Sequence, residues 1–301
     1  MEYCIYHDES QEVGYWHGIL FIPKCFNDEV IDLLKQIRTD CGYHDYQRLN
    51  FKGLKDRGNK FKAISMSLQL FVLLIRRFIK PHIDGNSGNT IYRQASKGSG
   101  ISCASFLVLN KVYGVKFMLL KEKDAHNKMD CYPDFASKIE TTFRFALKGG
   151  CHFIFDNDNP ICIKKIFFDG HQHYHRHIDK NRVIKNLQSE FRDYCTIDTN
   201  FDIDDRQLID RKDESFVVMN FIDNIISAWR CLISMTYSNQ CQKDETQILY
   251  NLFKRWQDGK IHKNSEGRWF KSFCLSECWL EDDQWNFDNF MVKNSIQPKL
   301  F

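Results

Sequence analysis

Acidic side chains interrupt or end several apolar stretches of the sequence, where carboxylates can do chemistry. Asp8 and Glu9 follow the β-prone opening run, Asp169 follows an Ile-Phe-Phe triplet, and Asp223 lies inside an apolar helical pattern. A buried carboxylate is costly unless it is paired or holds a metal. Oxygen ligands favour Mg²⁺ or Mn²⁺, and two such ions about 4 Å apart can drive phosphodiester hydrolysis. The structural alternative for each residue is a turn former, a helix cap or an ion-pair partner.

A basic segment supplies candidates for phosphate contact. Residues 51–100 hold ten Lys and Arg against two Asp, whereas residues 201–250 hold five basic and nine acidic side chains, in a chain whose net charge is only +3. Such a division suits an enzyme acting on a polyanion, although two solvated faces give the same pattern. Phe51 and Phe61 are interleaved and could stack on bases. The basic candidates for nucleic-acid binding are Lys52, Lys55, Arg57, Lys60 and Lys62.

Four histidines alternate along residues 171–177, directly after Asp169-Gly170. On a strand they would share one face and could bind zinc or copper. A single member, His171 or His173, could instead transfer protons or contact a phosphate, or the segment could be polar without chemistry. The twelve cysteines include no CxxC pair, so we interpret them as reduced core residues.

Periodicity predicts the elements that must position these side chains. The composition, with 14% aromatic residues, is that of a folded globular chain. The order of elements indicates an α/β protein with a mixed sheet covered by helices. The predicted strands are 3–7, 15–22, 164–168 and 196–201, and the predicted helices are 27–39, 59–79, 133–147 (ended by Gly149-Gly150), 181–194, 215–235 and 245–256, with an acidic loop over 202–214 and irregular structure after 256.

No stretch has the pattern of a secretory signal or a membrane span. The longest apolar run, Leu68–Ile75, is too short to cross a bilayer. The N-terminus lacks a basic and an apolar region of the secretory kind. We therefore expect a cytoplasmic protein that does not associate with membranes.

Several short motifs, in order, resemble a bacterial family. Ile5-Tyr6-His7-Asp8-Glu9-Ser10 resembles the "D-E-S-G" opening of domain-of-unknown-function family 3800, whose members resemble ribonuclease H-like nucleases. Ile166–Gly170 resembles the family's later strand ending in Asp, and Phe216–Ala228 resembles its closing "L-Q-L-A-D-L-I-A-G" helix. Leu49–Leu54 occupies the place of a short "E-L-H/K-x-x-x-L" segment. The resemblance covers about residues 3–235, with Gln11 in place of the usual Gly and Met219-Asn220 in place of Leu-Gln.

The resemblance implies a ribonuclease H-like domain over residues 1–240, with an insertion around 81–130 and a C-terminal extension over 241–301 packed on it. It implies two Mg²⁺ or Mn²⁺ ions held by Asp8, Asp169 and Asp223, with Glu9 as a fourth catalytic candidate. Asp204 and Asp205 are weaker candidates. The implied activity is cleavage of RNA or DNA, in a defence or toxin–antitoxin setting with a protein partner.

Two other functions fit the same sequence. The first is a catalytically silent module of the same fold that binds nucleic acid or a protein. The second is a zinc protein that uses the 171–177 histidines and the cysteines. Convergence of Asp8, Asp169 and Asp223 on one point distinguishes the nuclease from the silent module, and elemental analysis of the purified chain tests for the zinc protein.

Overall fold

The computed structural model describes residues 1–10, 14–76, 109, 111–123, 134–155, 160–168, 179–191, 195–204, 212–257, 272–281 and 284–289. Its strands are β1 (Glu2–Ser10), β2 (Tyr15–Pro23), β3 (Lys116–Glu122), β4 (Ile161–Phe168), β5 (Cys195–Asp204), β6 (Phe273–Glu281) and β7 (Gln284–Asn289). Its helices are α1 (Asn27–Asp40), α2 (Asn59–Arg76), α3 (Phe135–Ile154), α4 (Lys180–Glu190), α5 (Phe216–Ser234) and α6 (Gln240–Gln257), besides a 3₁₀ turn at Lys24–Phe26. Most of the predicted 81–130 insertion lies outside the described residues.

The seven described strands form one sheet in the order β5-β4-β1-β2-β3-β6-β7. β1, β2 and β3 form an antiparallel meander. β4 joins β1 in parallel on the other side, and β5 joins β4 in parallel. The mixed sheet flanked by helices confirms the predicted α/β class.

Helices cover both faces because the strands present apolar side chains alternately to each. We call one side the α5 face, where α1, α2 and α5 pack on the sheet and Leu249 of α6 joins the same core. We call the other the α3 face, where α3 and α4 pack. β2, at the centre, is buried along its whole length.

α5 is the most apolar described helix, and it alone among the described helices is long and apolar enough to cross a membrane. Its most apolar window is 94% buried inside the fold, as the core helix of a soluble protein is. Burial is compatible with its composition because α1, α2 and β1 enclose it.

Several sequence predictions of element boundaries are wrong. α4 ends at Glu190 rather than at 194, α6 begins at Gln240 rather than at 245, and β4 begins at Ile161 rather than at 164. Gly149-Gly150 do not end α3, which continues to Ile154, because Gly150 lets the helix approach β3 where a Cβ would overlap Met118. β5 continues to Asp204, into the predicted acidic loop. Residues 273–281 and 284–289 are not irregular; they form β6 and β7, and β6 extends the sheet alongside β3.

Candidate functional site

Asp8 and Glu9 are consecutive in β1, so their side chains lie on opposite faces of the sheet. Cys4 and Tyr6, in phase with Asp8, belong to the core of the α5 face. Ile5, in phase with Glu9, belongs to the core of the α3 face. The structure therefore separates the two carboxylates, and Glu9 is not placed beside Asp8 as a fourth ligand of one metal.

α5 crosses β1 at the level of Asp8. Ser215, just before the helix, lies within hydrogen-bond reach of the Tyr6 hydroxyl, and Arg230 donates from Nη1 to Ser10 Oγ at 2.9 Å. Tyr6 and Ser10 lie on either side of Asp8 in β1, so α5 packs on the stretch of the strand that contains Asp8. Asp8 is 4% exposed and Asp223 is partly exposed.

Close packing of α5 on the neighbouring strand depends on a glycine. Gly18 is the partner of Asp8 across the β1–β2 pair. A Cβ at Gly18 would overlap the Ile226 side chain and contact Ile222. The absence of a side chain at this position therefore lets α5 pack closely on the sheet beside the end of β1.

Two asparagines of α5 hold the basic segment. Asn220 accepts from Leu49 N through Oδ1 at 2.9 Å and donates to Leu49 O at 2.7 Å. Asn224 accepts from Phe51 N at 2.7 Å. With about 100° per residue, Asp223 lies about 60° around the helix from Asn220 on one side and from Ile226 on the other. Asp223 is therefore positioned between the sheet and the basic segment.

The backbone of residues 49–54 is also fixed from α6 and the turn before it. Gln242 donates to Lys52 O at 3.1 Å, and Asn239 donates to Leu54 O at 2.6 Å. Of the five predicted basic residues, four are exposed, namely Lys52, Lys55, Arg57 and Lys62, and Lys60 is partly exposed. Arg57 forms an ion pair with Asp244 at 2.6 Å.

Phe51 cannot stack on a base, contrary to the sequence prediction, because it is 1% exposed and belongs to the core of the α5 face. Phe61 is partly buried and packs against the same core, with the Arg57 guanidinium 6.0 Å from its ring centre. The segment therefore offers charge rather than stacking surfaces.

Asp204 ends β5 on the α5 face, since Phe201 and Ile203 face the opposite core. It is 1% exposed, and Lys165 Nζ lies 3.5 Å from its Oδ2. This ion pair balances the carboxylate charge. Asp205, the other weaker candidate, lies outside the described residues.

The α3 face carries a buried polar chain at the same end of the sheet. His7 Nε2 lies 3.0 Å from His17 Nδ1, and His17 Nε2 lies 3.0 Å from Glu122 Oε1. Lys138 of α3 lies 3.7 Å from the other oxygen of Glu122. Both imidazoles are fully buried. Because a carboxylate only accepts, His17 Nε2 donates to Glu122, which leaves the Nδ1 lone pair pointing at His7.

Glu9 belongs to this buried group. It is the cross-strand partner of His17, and Tyr15 donates its hydroxyl to Glu9 Oε2. Burial, followed by the charge of Glu9, raises the pKa of Tyr15 well above its usual value, so Tyr15 stays a donor. Ligand atoms of His7, Glu9 and His17 all lie within 4.8 Å of one another, an arrangement able to hold a metal ion.

Some predicted site residues lie outside the described part of the chain: Asp169, His171 and His173. β4 is described as far as Phe168, which is level with His7 of β1. The role predicted for Asp169 remains a prediction, as do those for the two histidines.

Sequence reasoning missed His17, Glu122, Asn220 and Asn224. The two asparagines carried a signal, because polar residues four apart in an apolar helix share a face. His17 was also detectable from the sequence, because pairing of the predicted hairpin brings it opposite Glu9. Glu122 did not, because residues 101–120 had no clear pattern.

No protein-family model, no curated protein and no solved structure matches the chain.

Proposed function

We propose that the protein is a cytoplasmic, divalent-metal-dependent nuclease whose metal ligands are Asp8, Asp223 and Asp169. The observation that carries the proposal is the placement of Asp223, between Asp8 on the sheet and the basic segment held by Asn220 and Asn224. Carboxylates bind Mg²⁺ or Mn²⁺, and nearby lysines attract phosphates. The role of Asp169 rests on its position in the sequence after β4.

The strand order supports the same proposal. Four strands of β5-β4-β1-β2-β3 run parallel to one another, and only β2 runs against them. In open sheets that contain parallel strands, ligands bind beyond the carboxyl ends of those strands. Asp8, Asp204 and the end of β4 lie at that edge. The additional strands β6 and β7 extend the sheet beyond β3, at the end of the strand order opposite to β5.

The chemistry of the proposed site is hydrolysis without a covalent enzyme intermediate. A bound divalent ion would lower the pKa of its water and stabilise the leaving oxygen. Asp8 would be a fixed ligand because its strand is buried on both faces. Asp223, on a helix that contacts both the sheet and the basic segment, would link metal and phosphate positions.

Cleavage of labelled single-stranded RNA, single-stranded DNA and an RNA–DNA hybrid, with Mg²⁺, Mn²⁺ or EDTA, tests this proposal. We expect metal-dependent cleavage that Asp8→Asn and Asp223→Asn remove. Asp202→Asn is the matched control, because Asp202 lies in a strand but its side chain is 63% exposed. Binding of nucleic acid without cleavage under any of these conditions would favour the silent module.

A further inference from the structure

The α3 face holds a second set of ligands, independent of the proposed nuclease site. We propose that His7, Glu9 and His17 form a buried site for one divalent transition-metal ion, and that zinc is the ion this donor set favours. Two imidazoles and one carboxylate are a known zinc set, whereas Mg²⁺ prefers oxygen ligands only. The site goes beyond the proposed function and does not depend on it.

The spacing of the imidazole nitrogens fits a shared ion. Ligands about 2.1 Å from one metal lie roughly 3.0 to 3.4 Å apart for angles between 90° and tetrahedral. His7 Nε2 and His17 Nδ1 are 3.0 Å apart. When an ion replaces the hydrogen bond between them, the proton on His7 Nε2 moves to Nδ1, and both rings stay neutral.

Each of two ligands has a supporting contact that fixes its orientation. His17 donates to Glu122, and Lys138 in turn lies beside Glu122. Glu9 accepts from Tyr15. Carboxylate–histidine–metal chains of this kind hold the tautomer and raise the basicity of the ligand. The arrangement is thus organised around the three ligand atoms rather than being a chance meeting of polar side chains.

Burial favours a structural ion. His7 and His17 are fully buried and Glu9 is 4% exposed. The rings of Phe143 and Phe168 lie 4.8 Å and 5.0 Å from the His7 ring and separate it from solvent. A cation here would complement the Glu9 charge where water is scarce. Its binding free energy would add to the free energy of folding, because the ion would link β1 to β2 beneath α3.

Cobalt titration of the untagged, metal-stripped chain tests the site, because Co²⁺ replaces zinc and reports its coordination by visible absorption. In the Asp8→Asn variant, which lacks one ligand of the proposed nuclease site, we expect one Co²⁺ per folded chain, displaced by Zn²⁺, with a higher melting temperature in the metal-bound state. His17→Gln and Glu9→Gln should abolish the absorption. His44→Gln, which changes an exposed histidine, should leave it unchanged.

The histidines of residues 171–177 require their own control, since they too could bind cobalt. Absorption that survives His171→Gln with His173→Gln supports the buried site, and disappearance of the absorption in that variant overturns it. If His17→Gln does not fold, Glu122→Gln keeps all three ligands and should weaken cobalt binding roughly 10- to 100-fold. A folded wild-type chain that binds no cobalt overturns the proposal and leaves a hydrogen-bonded histidine pair.

Discussion

The end of β1 has different surroundings on the two faces of the sheet. On the α5 face, Asp8 lies beneath α5, which carries the partly exposed Asp223 and holds the basic segment. On the α3 face, Glu9 is enclosed with two imidazoles, a tyrosine hydroxyl and an ion-paired Glu122. Asp8 and Glu9 are equally buried, at 4% exposed, but the proposed ligands are oxygen atoms only on one face and nitrogen and oxygen atoms on the other. Consecutive residues in one strand can therefore serve two unrelated chemistries.

The largest expected effect comes from removing the carboxylate on one face and measuring both nucleic-acid cleavage and cobalt binding. Asp8→Asn should lower metal-dependent cleavage by more than about 100-fold, since contacts that only support a ligand are worth roughly 10- to 100-fold. The same variant should bind cobalt on the α3 face as tightly as the wild type. Loss of both properties in a folded Asp8→Asn chain would show that the two faces act as one site.

A further buried carboxyl group, Glu245, differs from Asp8 and Glu9 because burial favours its neutral form. Glu245 of α6 is 2% exposed, and burial raises its pKa to about 8. The folded state thus binds a proton that the unfolded state has released, so stability falls as the pH rises from the usual glutamate value towards 8. Between pH 5 and pH 8, the free energy of unfolding should fall by about 3 kcal/mol less in Glu245→Gln than in the wild type.

Urea unfolding at the two pH values measures that effect. The exposed Glu214→Gln should keep the wild-type pH dependence, because its side chain is solvated. A Glu245→Gln chain with the wild-type difference between pH 5 and pH 8 would contradict a protonated Glu245 in the fold.

A substitution at Gly18 tests whether the α5 face depends on the close approach of the helix to the strand. Gly18→Ala should cost about 1–3 kcal/mol of folding free energy, because the new Cβ overlaps Ile226. It should also lower cleavage by shifting Asp223 relative to Asp8. Cobalt affinity on the α3 face should stay unchanged, and the paired measurement of melting temperature and cobalt titration would reveal a shift that reaches both faces.

The smallest expected effect concerns the basic segment. Lys52→Ala and Lys55→Ala should each weaken binding of single-stranded nucleic acid and reduce the slope of log affinity against log salt by roughly 0.7, because each variant neutralises one phosphate fewer. Lys148→Ala removes an exposed charge from α3, on the other side of the sheet, and should leave the slope unchanged. Equal slopes in all three variants would exclude the segment from the interface.

The positions of β1, β2, α1, α2 and α5 were predictable because each has a clear period of apolar residues. α5 packs on β1, which carries Asp8, whereas the convergence of Asp8, Asp169 and Asp223 on one metal site remains a prediction. The strands of residues 273–289 were not predictable locally, since β6 pairs with β3, which is far away in the sequence. The separation of Glu9 from Asp8, by contrast, follows from strand alternation alone and was overlooked.

The contact between α5 and β1 joins Ser10 and Arg230, which are 220 positions apart. A ribosome adding about 5–20 residues per second reaches the second of them roughly 10–40 s after the first. During that interval the nascent chain has Asp8 but no α5 to lie over it, so any activity that requires both residues is absent. Ribosome-bound chains arrested before and after α5 emerges should differ in this respect, and a short arrested chain that cleaves nucleic acid would contradict the dependence on Asp223. Synthesis itself would thereby delay the proposed activity until strands β1 to β5 have been made.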